Sequence, residues 1–128
     1  FYTRLMSKTK SRKQLVEEFV NSCTLVFKSF EYDVVISKNK SNLWHYTATK
    51  KEKKYVVYCA PEIKKVKGLL KVAVNKIPKE HKLVVICNDF DEADDQFSQG
   101  LNFKLVTLSK IKKFGEDLLE AKVREGNI

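Results

Sequence analysis

The chain has 128 residues, of which 43% are hydrophobic, and contains only 4 Gly and 2 Pro. This length and composition fit one domain with an apolar core and exclude a disordered chain. No apolar run approaches the roughly 18 residues that cross a membrane, and no secretory signal is visible. The net charge of +9 favours phosphate-bearing partners, although a lysine-rich soluble surface has the same composition.

The positive charge is unevenly distributed along the chain. Residues 1–82 contain 19 Lys and Arg against 7 Asp and Glu, whereas residues 83–128 contain 6 and 9. The excess of positive charge therefore belongs to the first part of the chain. A basic field of this kind binds phosphate backbones in a salt-dependent way without reading bases.

Three cysteines, Cys23, Cys59 and Cys87, lie far apart in apolar segments, with no Cys-x-x-Cys pair and only 2 His in the chain. We expect buried thiols in an intracellular reducing compartment, with nucleus, cytoplasm and organelle matrix equally compatible, and we expect no metal and no cofactor. Because the sequence begins with Phe1, we also expect it to be a piece of a longer protein.

The first half of the chain predicts a helix followed by a three-stranded meander. Ser11 and Gln14 have the spacing of a capping box, which predicts a helix over residues 12–30. Alternating or continuous apolar residues then predict strands, separated by polar turns. The strands are expected over residues 32–37, 43–49 and 54–60, with turns over 38–42 and 50–53.

Pro61 suits the first position of a second helix, and Pro78 marks its end. The apolar face of this helix comprises Ile63, Val66, Leu70, Ala73 and Ile77. The opposite face comprises Lys64, Lys65, Lys67, Lys71 and Lys76. This segment therefore predicts an amphipathic helix with one apolar and one strongly basic face.

The last part of the chain predicts two more strands and two more helices. Residues 83–87 form a continuous apolar run, typical of a strand buried on both faces. Asn88 or Asp89 is expected to cap a short helix through Gln99, which Gly100 ends. A strand over 103–106 and a helix from Ser109, interrupted by Gly115, complete the order. The last helix should present Ile111, Phe114, Leu118 and Val123 to the core.

This order predicts an α/β fold, a three-layer α/β/α sandwich with a mixed sheet of four to five strands. A meander supplies the antiparallel strands, and crossovers through helices supply the parallel ones. We expect a single domain over residues 1–128, with a core from about 12 to 120.

Several stretches resemble the Mrr-like branch of the restriction-endonuclease-like (PD-(D/E)xK) superfamily, over about residues 12–120. In that family a helix ends in a Gly-Tyr-like step into the first strand, as in Phe30-Glu-Tyr-Asp-Val-Val35. A third strand close to Tyr-Val-Val-Gln-Cys-Lys corresponds to Tyr55-Val-Val-Tyr-Cys-Ala60. A later apolar strand, a Phe and an Ala correspond to Leu83-Val-Val-Ile-Cys-Asn-Asp-Phe90 and Ala93, before Phe103-Lys-Leu-Val106.

The resemblance implies a nuclease that has lost its catalytic residues. The family's chemistry needs an Asp on the second strand and a Glu or Gln and a Lys on the third, which hold Mg²⁺ and orient the attacking water. Those places correspond here to His45, Tyr58 and Ala60. An imidazole is a poor ligand for a hard cation and a phenol is neutral at pH 7, so we expect no metal and no cleavage.

A shifted catalytic set is the alternative. Asp33, Glu52 and Lys54 reproduce the residue types of the family's motif. However, Asp33 should begin the first strand and Glu52 should lie in a turn, so neither is expected to reach the pocket. A solvated turn is the ordinary explanation of this stretch.

Five acidic residues, Asp89, Asp91, Glu92, Asp94 and Asp95, invite a metal-binding interpretation. They lack the Gly and Glu of a calcium loop, and acidic residues are favoured at the start of a helix by its dipole. We therefore expect a solvated helix start, with a partner-docking patch as the alternative.

Period-two counting from the strand ends places Tyr58, His45 and Ala60 on one side of the sheet and Trp44 and Tyr46 on the other. The aromatic and imidazole rings either fill the space of the missing ion or stack on a nucleotide. Filling is the simpler interpretation.

The expected function is DNA binding by an inactive, nuclease-like domain, within a larger nucleic-acid-processing protein or complex. The resemblance implies that the second helix and the strand turns flank the groove that faces DNA. Phosphate contacts are therefore expected from Lys50, Lys51, Lys53, Lys54, Lys64, Lys65, Lys67 and Lys71. The alternatives are a scaffold domain for a protein partner or a homodimer, and an active nuclease with the shifted set. No membrane partner is expected.

Overall fold

A computed structural model describes residues 11–37 and 43–120 and shows an α/β fold with an open, mixed five-stranded sheet. The strands are β1 (Asp33–Ile36), β2 (Tyr46–Lys50), β3 (Lys53–Cys59), β4 (Lys82–Cys87) and β5 (Lys104–Thr107). The α-helices are α1 (Arg12–Ser29), α2 (Lys67–Ala73), α3 (Glu92–Leu101), α4 (Leu108–Phe114) and α5 (Asp117–Glu120), and a 3-10 helix covers Ile63–Lys65. The predicted turn over 38–42 lies outside the described residues.

The strands lie side by side in chain order, β1 to β5. The pairs β1–β2 and β2–β3 are antiparallel, whereas β3–β4 and β4–β5 are parallel. The two-residue turn at Lys51 and Glu52 returns the chain antiparallel, while the parallel pairs require crossovers, which contain α2 and α3. The predicted meander followed by crossover strands is therefore confirmed.

Alternate strand residues belong to two separate hydrophobic clusters. Val57, Val84 and Val106 pack in one cluster with residues of α1, α4 and α5. Val56 and Val85 pack in the other cluster with residues of α2 and α3. Because side chains of a strand alternate between its two faces, the two clusters belong to opposite faces of the sheet. The predicted continuous burial of β4 is confirmed, since every residue from Leu83 to Cys87 is buried.

Helix α1 begins at the predicted capping box. The Gln14 backbone N–H donates to the Ser11 hydroxyl at 3.1 Å, and the Ser11 backbone N–H donates to the Gln14 side chain at 2.9 Å. Phe19, Cys23, Val26 and Phe27 form its buried face. The helix ends at Ser29, and the chain reverses into β1. The capping box therefore predicted the start of α1 correctly.

The predicted helix from Pro61 to Pro78 is shorter and starts later. The Asn88 backbone N–H donates to the Pro61 carbonyl at 3.2 Å, and Glu62 forms a parallel β-bridge with Asp89. The backbone at 61–62 thus pairs with the segment that directly follows β4 instead of entering a helix. A 3-10 turn follows, and α2 ends at Ala73. Tertiary pairing overrides the local preference of Pro for a helix start.

Helix α3 starts later and ends later than its sequence signals predicted. Asp91, rather than Asn88 or Asp89, is the N-cap, and its carboxylate accepts from the Asp94 backbone N–H at 2.9 Å. The helix continues through Gly100 to Leu101. Asn102 ends it in the left-handed region, at φ 62° and ψ 49°. Asn tolerates this conformation, so glycine was not required as the stop.

The last predicted helix is two short helices separated at Gly115, whose φ of 80° breaks the first. Thr107, not Ser109, caps α4, because its hydroxyl accepts from the Lys110 backbone N–H at 3.2 Å. Ile111 is buried as expected, but Phe114 is 56% exposed, so its assignment to the core was wrong. Val123 lies outside the described residues.

All three cysteines are buried free thiols, as predicted. Cys23 and Cys59 pack in one hydrophobic cluster, and Cys87 packs in the other. Among the helices that the structure describes, none combines the length and apolarity needed to cross a membrane.

Candidate functional site

A cleft of about 770 Å³ opens at the carboxyl ends of β3 and β4, against the first half of α1. In open sheets with parallel strands this end is the usual position of ligand sites. Helix α1 contributes Arg12, Leu15, Val16, Glu18, Phe19 and Ser22 to the lining. The sheet and the segment after β3 contribute His45, Tyr58, Cys59, Ala60, Pro61, Glu62, Lys65, Val66 and Asn88.

The three residues in the degenerate catalytic places, His45, Tyr58 and Ala60, all line this cleft. The rings of His45 and Tyr58 lie 4.6 Å apart at 54°, a tilted contact. Ala60 is buried, and its backbone N–H donates to the Ile86 carbonyl at 2.8 Å. Tyr58 and Ala60 pack in the same cluster, as predicted, and Tyr46 belongs to the other cluster.

Trp44 was placed on the wrong side by period-two counting. It packs with the cluster that contains Ala60 and Tyr58, not with the cluster of Tyr46. Trp44 lies in a bend before β2 begins at Tyr46, so the strict alternation of a strand does not apply to it.

A backbone hydrogen bond fixes the tautomer of His45. The Cys59 N–H donates to Nδ1 at 2.9 Å, so Nδ1 has no proton and Nε2 is the protonated nitrogen of the neutral ring. Burial lowers the pKa of His45, which favours this neutral form. The backbone of His45 is also held, because it donates to Val57 and accepts from Ser37, both at 2.9 Å. His45 is therefore a rigid neutral group.

Tyr58 is neutral as well. Burial, and next the neighbouring Cys59, raises the pKa of the Tyr58 phenol above its ordinary value. The ring is half-buried against the cluster that includes Val56 and Ala60. At neutral pH the pair His45 and Tyr58 thus presents aromatic surface and hydrogen-bonding groups without charge.

Charged residues in the lining occur in equal numbers of each sign. Arg12 and Lys65 are basic, and Glu18 and Glu62 are acidic. The Lys65 ammonium lies 2.8 Å from the Glu62 carboxylate, and its hydrogen bond lowers the pKa of Glu62. No group of three or more His, Cys, Asp or Glu side chains that could hold a metal ion occurs within residues 11–37 and 43–120.

The shifted catalytic set lies away from the cleft. Asp33 is exposed at the start of β1, Glu52 is exposed in the β2–β3 turn, and Lys54 follows it on β3. Lys54 lies 3.4 Å from the Glu80 carboxylate. None of the three lines the cleft, which is at the opposite end of β3.

The predicted DNA-contacting lysines fall into two groups, and many of them already have acidic partners. At the β2–β3 turn, the Lys50 ammonium donates to the Phe30 carbonyl at 2.8 Å and to Glu116 at 2.9 Å. Lys53 lies 3.5 Å from the same Glu116 carboxylate. This group fastens the turn to the end of α1 and to the segment after α4, while Lys51 is exposed.

In the second group of lysines, Lys64 and Lys67 contact the Asp94 carboxylate. The Lys64 ammonium lies 2.7 Å from Asp91 and 3.0 Å from Asp94, and the Lys67 ammonium lies 2.8 Å from Asp94. The other two members of this group are Lys65, which pairs with Glu62, and Lys71, which is exposed on α2. Lys64 and Lys67 therefore join the 3-10 helix and the first residue of α2 to the start of α3.

The expectation of a solvated acidic helix start is correct for Asp91 and wrong for Asp94. Asp91 is exposed, whereas Asp94 has 0% exposure. Burial by itself would raise the pKa of Asp94, but hydrogen bonds from Lys67, from the Asp91 backbone and from Lys64 outweigh it and hold that pKa well below its ordinary value. Asp94 is a buried counter-ion.

Sequence reasoning missed the wall that α1 contributes to the cleft and several residues after β3 and β4. Arg12 belongs to α1, which no pattern connects to the ends of β3 and β4. Asn88 follows β4 directly, and a polar residue at the carboxyl end of a parallel strand was a usable signal.

Comparisons of the chain with protein-family models, with curated proteins and with solved structures find no match. The likeness to the Mrr-like branch therefore stays an expectation from residue patterns.

Proposed function

We propose that this chain is a nuclease-like domain that has lost catalysis and binds DNA, as part of a larger nucleic-acid-processing protein or complex. The proposal includes a restriction-endonuclease-like three-layer α/β/α sandwich. The two hydrophobic clusters, with helices on both faces of the mixed sheet, support that architecture.

The observation that carries the proposal is the gathering of His45, Tyr58 and Ala60 in one cleft at the carboxyl end of β3. These are the places where the resemblance expects an ion and a catalytic lysine. Neutral His45 has its Nδ1 lone pair engaged by Cys59, so it offers no ligand atom to a cation in this tautomer. A pocket that is retained while its oxygen ligands are replaced is what an inactive descendant of a nuclease would have.

The surface that best fits phosphate binding differs from the lysine set expected from sequence. One lysine in α2 and three lysines between the end of α2 and the start of β4 are exposed and make no ion pair with a described residue. We call these four the basic stripe, and they are Lys71, Lys76, Lys79 and Lys82. The stripe leads from α2 to the start of β4, where Lys82 pairs in register with Tyr55 of β3. An unpaired ammonium group can neutralise a DNA phosphate and so release a counterion from the DNA. An ammonium group that is paired with a carboxylate must first give up that ion pair.

The test is reversal of charge on the basic stripe. The triple variant Lys71→Glu, Lys76→Glu, Lys79→Glu should lose duplex DNA binding at low salt, measured by fluorescence anisotropy. If each lysine contacts one phosphate, the slope of log affinity against log salt should fall by about 0.9 per residue. These positions avoid Lys64 and Lys67, whose reversal would place a negative charge beside buried Asp94.

The matched control carries the same change in net charge on α4, as Lys110→Glu, Lys112→Glu, Lys113→Glu. All three residues are exposed, and Ile111 anchors α4 in the cluster that does not contain α2. The control should keep most of the DNA affinity. Equal losses in both variants would mean a diffuse charge effect, and no binding by the wild-type chain at low salt would reject DNA binding altogether.

A second function, a scaffold for a protein partner, is favoured by a different observation. The edge strand β1 exposes Val35 and Ile36, at 57% and 55%, and edge strands with apolar side chains pair readily with other chains. Under this alternative the wild-type chain should show negligible DNA affinity, and Val35→Lys with Ile36→Lys should abolish partner binding or dimerisation in sedimentation experiments.

A further inference from the structure

The walls of the cleft are apolar and lie close to aromatic rings. Leu15, Val16 and Phe19 of α1 lie on one side, and Ala60 and Val66 on the other. Small-molecule sites of ~300 to 1,000 Å³ typically have such walls and a few fixed polar groups. The volume of about 770 Å³ leaves room for a planar ring system beside the pair of His45 and Tyr58.

Three polar side chains of the cleft, His45, Tyr58 and Asn88, carry no charge, and His45 is held in position by the Cys59 backbone. Because Nδ1 of His45 accepts from the Cys59 backbone, Nε2 is left as an N–H donor, and no described residue accepts from it. Tyr58 adds a hydroxyl that both donates and accepts, and Asn88 adds an amide that does the same. Ring nitrogens, carbonyl oxygens and exocyclic amines of a nucleobase match this set of donors and acceptors.

The charge of the lining argues against a phosphate inside the cleft. Arg12 and Lys65 are balanced by Glu18 and Glu62, and Lys65 is paired with Glu62 at 2.8 Å. A DNA phosphodiester, which is a monoanion, would meet as many carboxylates as basic groups there and gain no net attraction, whereas an uncharged base does not depend on net charge. Phosphates are better placed outside, where the basic stripe begins with Lys71 on α2.

We propose that the cleft holds one unpaired base of a DNA strand, stacked against Tyr58 and hydrogen-bonded to His45. The DNA source rests on the proposed function, while the base-binding chemistry comes from the cleft itself. The cleft and Lys82 lie at opposite ends of β4, whose 6 residues span ~20 Å. Since a duplex rises ~3.4 Å per base pair, about six base pairs fit between them.

The experiment compares two duplexes of equal length, one blunt and one with a single unpaired terminal base, by anisotropy with the full chain. The wild type should prefer the unpaired end by about fivefold or more, as expected for one stacked base. Tyr58→Phe keeps the ring and should retain the preference. Tyr58→Leu keeps apolar volume without a π face and should lose it, while Phe114→Ala removes an exposed aromatic elsewhere and should change nothing.

Titration of the ¹⁵N-labelled chain with adenosine gives a second readout that needs no DNA. Saturable shifts of the Cys59 amide and the His45 ring are expected, with no effect of inorganic phosphate at equal concentration. If the chain binds DNA but shows no preference for the unpaired end, or keeps that preference in Tyr58→Leu, the base site is overturned. The proposed function then still stands. Where DNA does not bind, the proposed function fails, and adenosine alone decides the site.

Discussion

Replacement of Asp94 by Ala should strongly destabilise the fold, because its carboxylate is fully buried between two lysines. It accepts from the Lys67 ammonium at 2.8 Å, from Lys64 at 3.0 Å and from the Asp91 backbone N–H at 3.0 Å. Hydrogen bonds that involve a charged group contribute about 1.5 to 3 kcal/mol each. Both lysines keep some contact with water, at 30% and 62% exposure, and can rehydrate after the substitution.

After a discount for that rehydration, we expect a loss of about 2 to 4 kcal/mol in the free energy of unfolding. The assay is urea unfolding followed by circular dichroism at pH 7. Glu92→Ala removes an acidic residue from the same first turn of α3, but Glu92 is exposed. This control should stay within about 0.5 kcal/mol of the wild type. Equal losses in the two variants would refute the role of Asp94 as a buried counter-ion.

The contribution of Asp94 to stability should also depend on pH. The pKa of Asp94 is lowered in the folded chain from its ordinary value of 3.8, so the unfolded chain takes up a proton first as the pH falls. The stabilisation by Asp94 is therefore fully present well above that value and is lost as the pH decreases through the folded pKa. The difference in stability between wild type and Asp94→Ala should shrink from pH 7 to pH 3, and a constant difference would contradict the assignment.

Three further outcomes are expected. Lys50→Met should cost about 1 to 2 kcal/mol in urea unfolding, because Lys50 is 25% exposed and donates to Phe30 and Glu116, whereas exposed Lys51→Met should be neutral. The His45 ring should show the neutral, Nε2-protonated tautomer in ¹⁵N spectra at pH 6.5, and a half-protonated ring at that pH would contradict the effect of burial. Plasmid DNA incubated with the chain and Mg²⁺ or Mn²⁺ should stay intact, and metal-dependent cleavage abolished by Glu52→Gln would revive the shifted set.

Local patterns predicted most of the elements because their causes are local. The capping box of Ser11 and Gln14 and the burial period of α1 involve residues three and four positions apart. The apolar run of β4 likewise needs only its own composition. Boundaries were wrong where a distant partner intervened, as at Pro61, whose carbonyl is taken by Asn88.

The candidate site was predicted in part for a similar reason. Tyr58 at the end of β3 and Ala60 just after it are two residues apart, so their shared side follows from the period of two, and the resemblance added His45. Helix α1 as the opposite wall was outside the reach of such reasoning. Such reasoning also did not predict which lysines form ion pairs. An amphipathic pattern identifies the polar face of a helix but not the partners of the side chains on that face.

The amino-acid sequence by itself determined the α/β class, the order of elements, the buried cysteines and the excess of lysine, because composition and short-range periodicity carry those properties. The tertiary structure alone decided which lysines form ion pairs and which carboxylate is buried. Lys64 and Asp94 are 30 residues apart, and only the crossovers around β4 bring them to 3.0 Å. The same crossovers and α1 shape the cleft around His45 and Tyr58, because a pocket depends on how distant elements pack, and no local pattern encodes that packing.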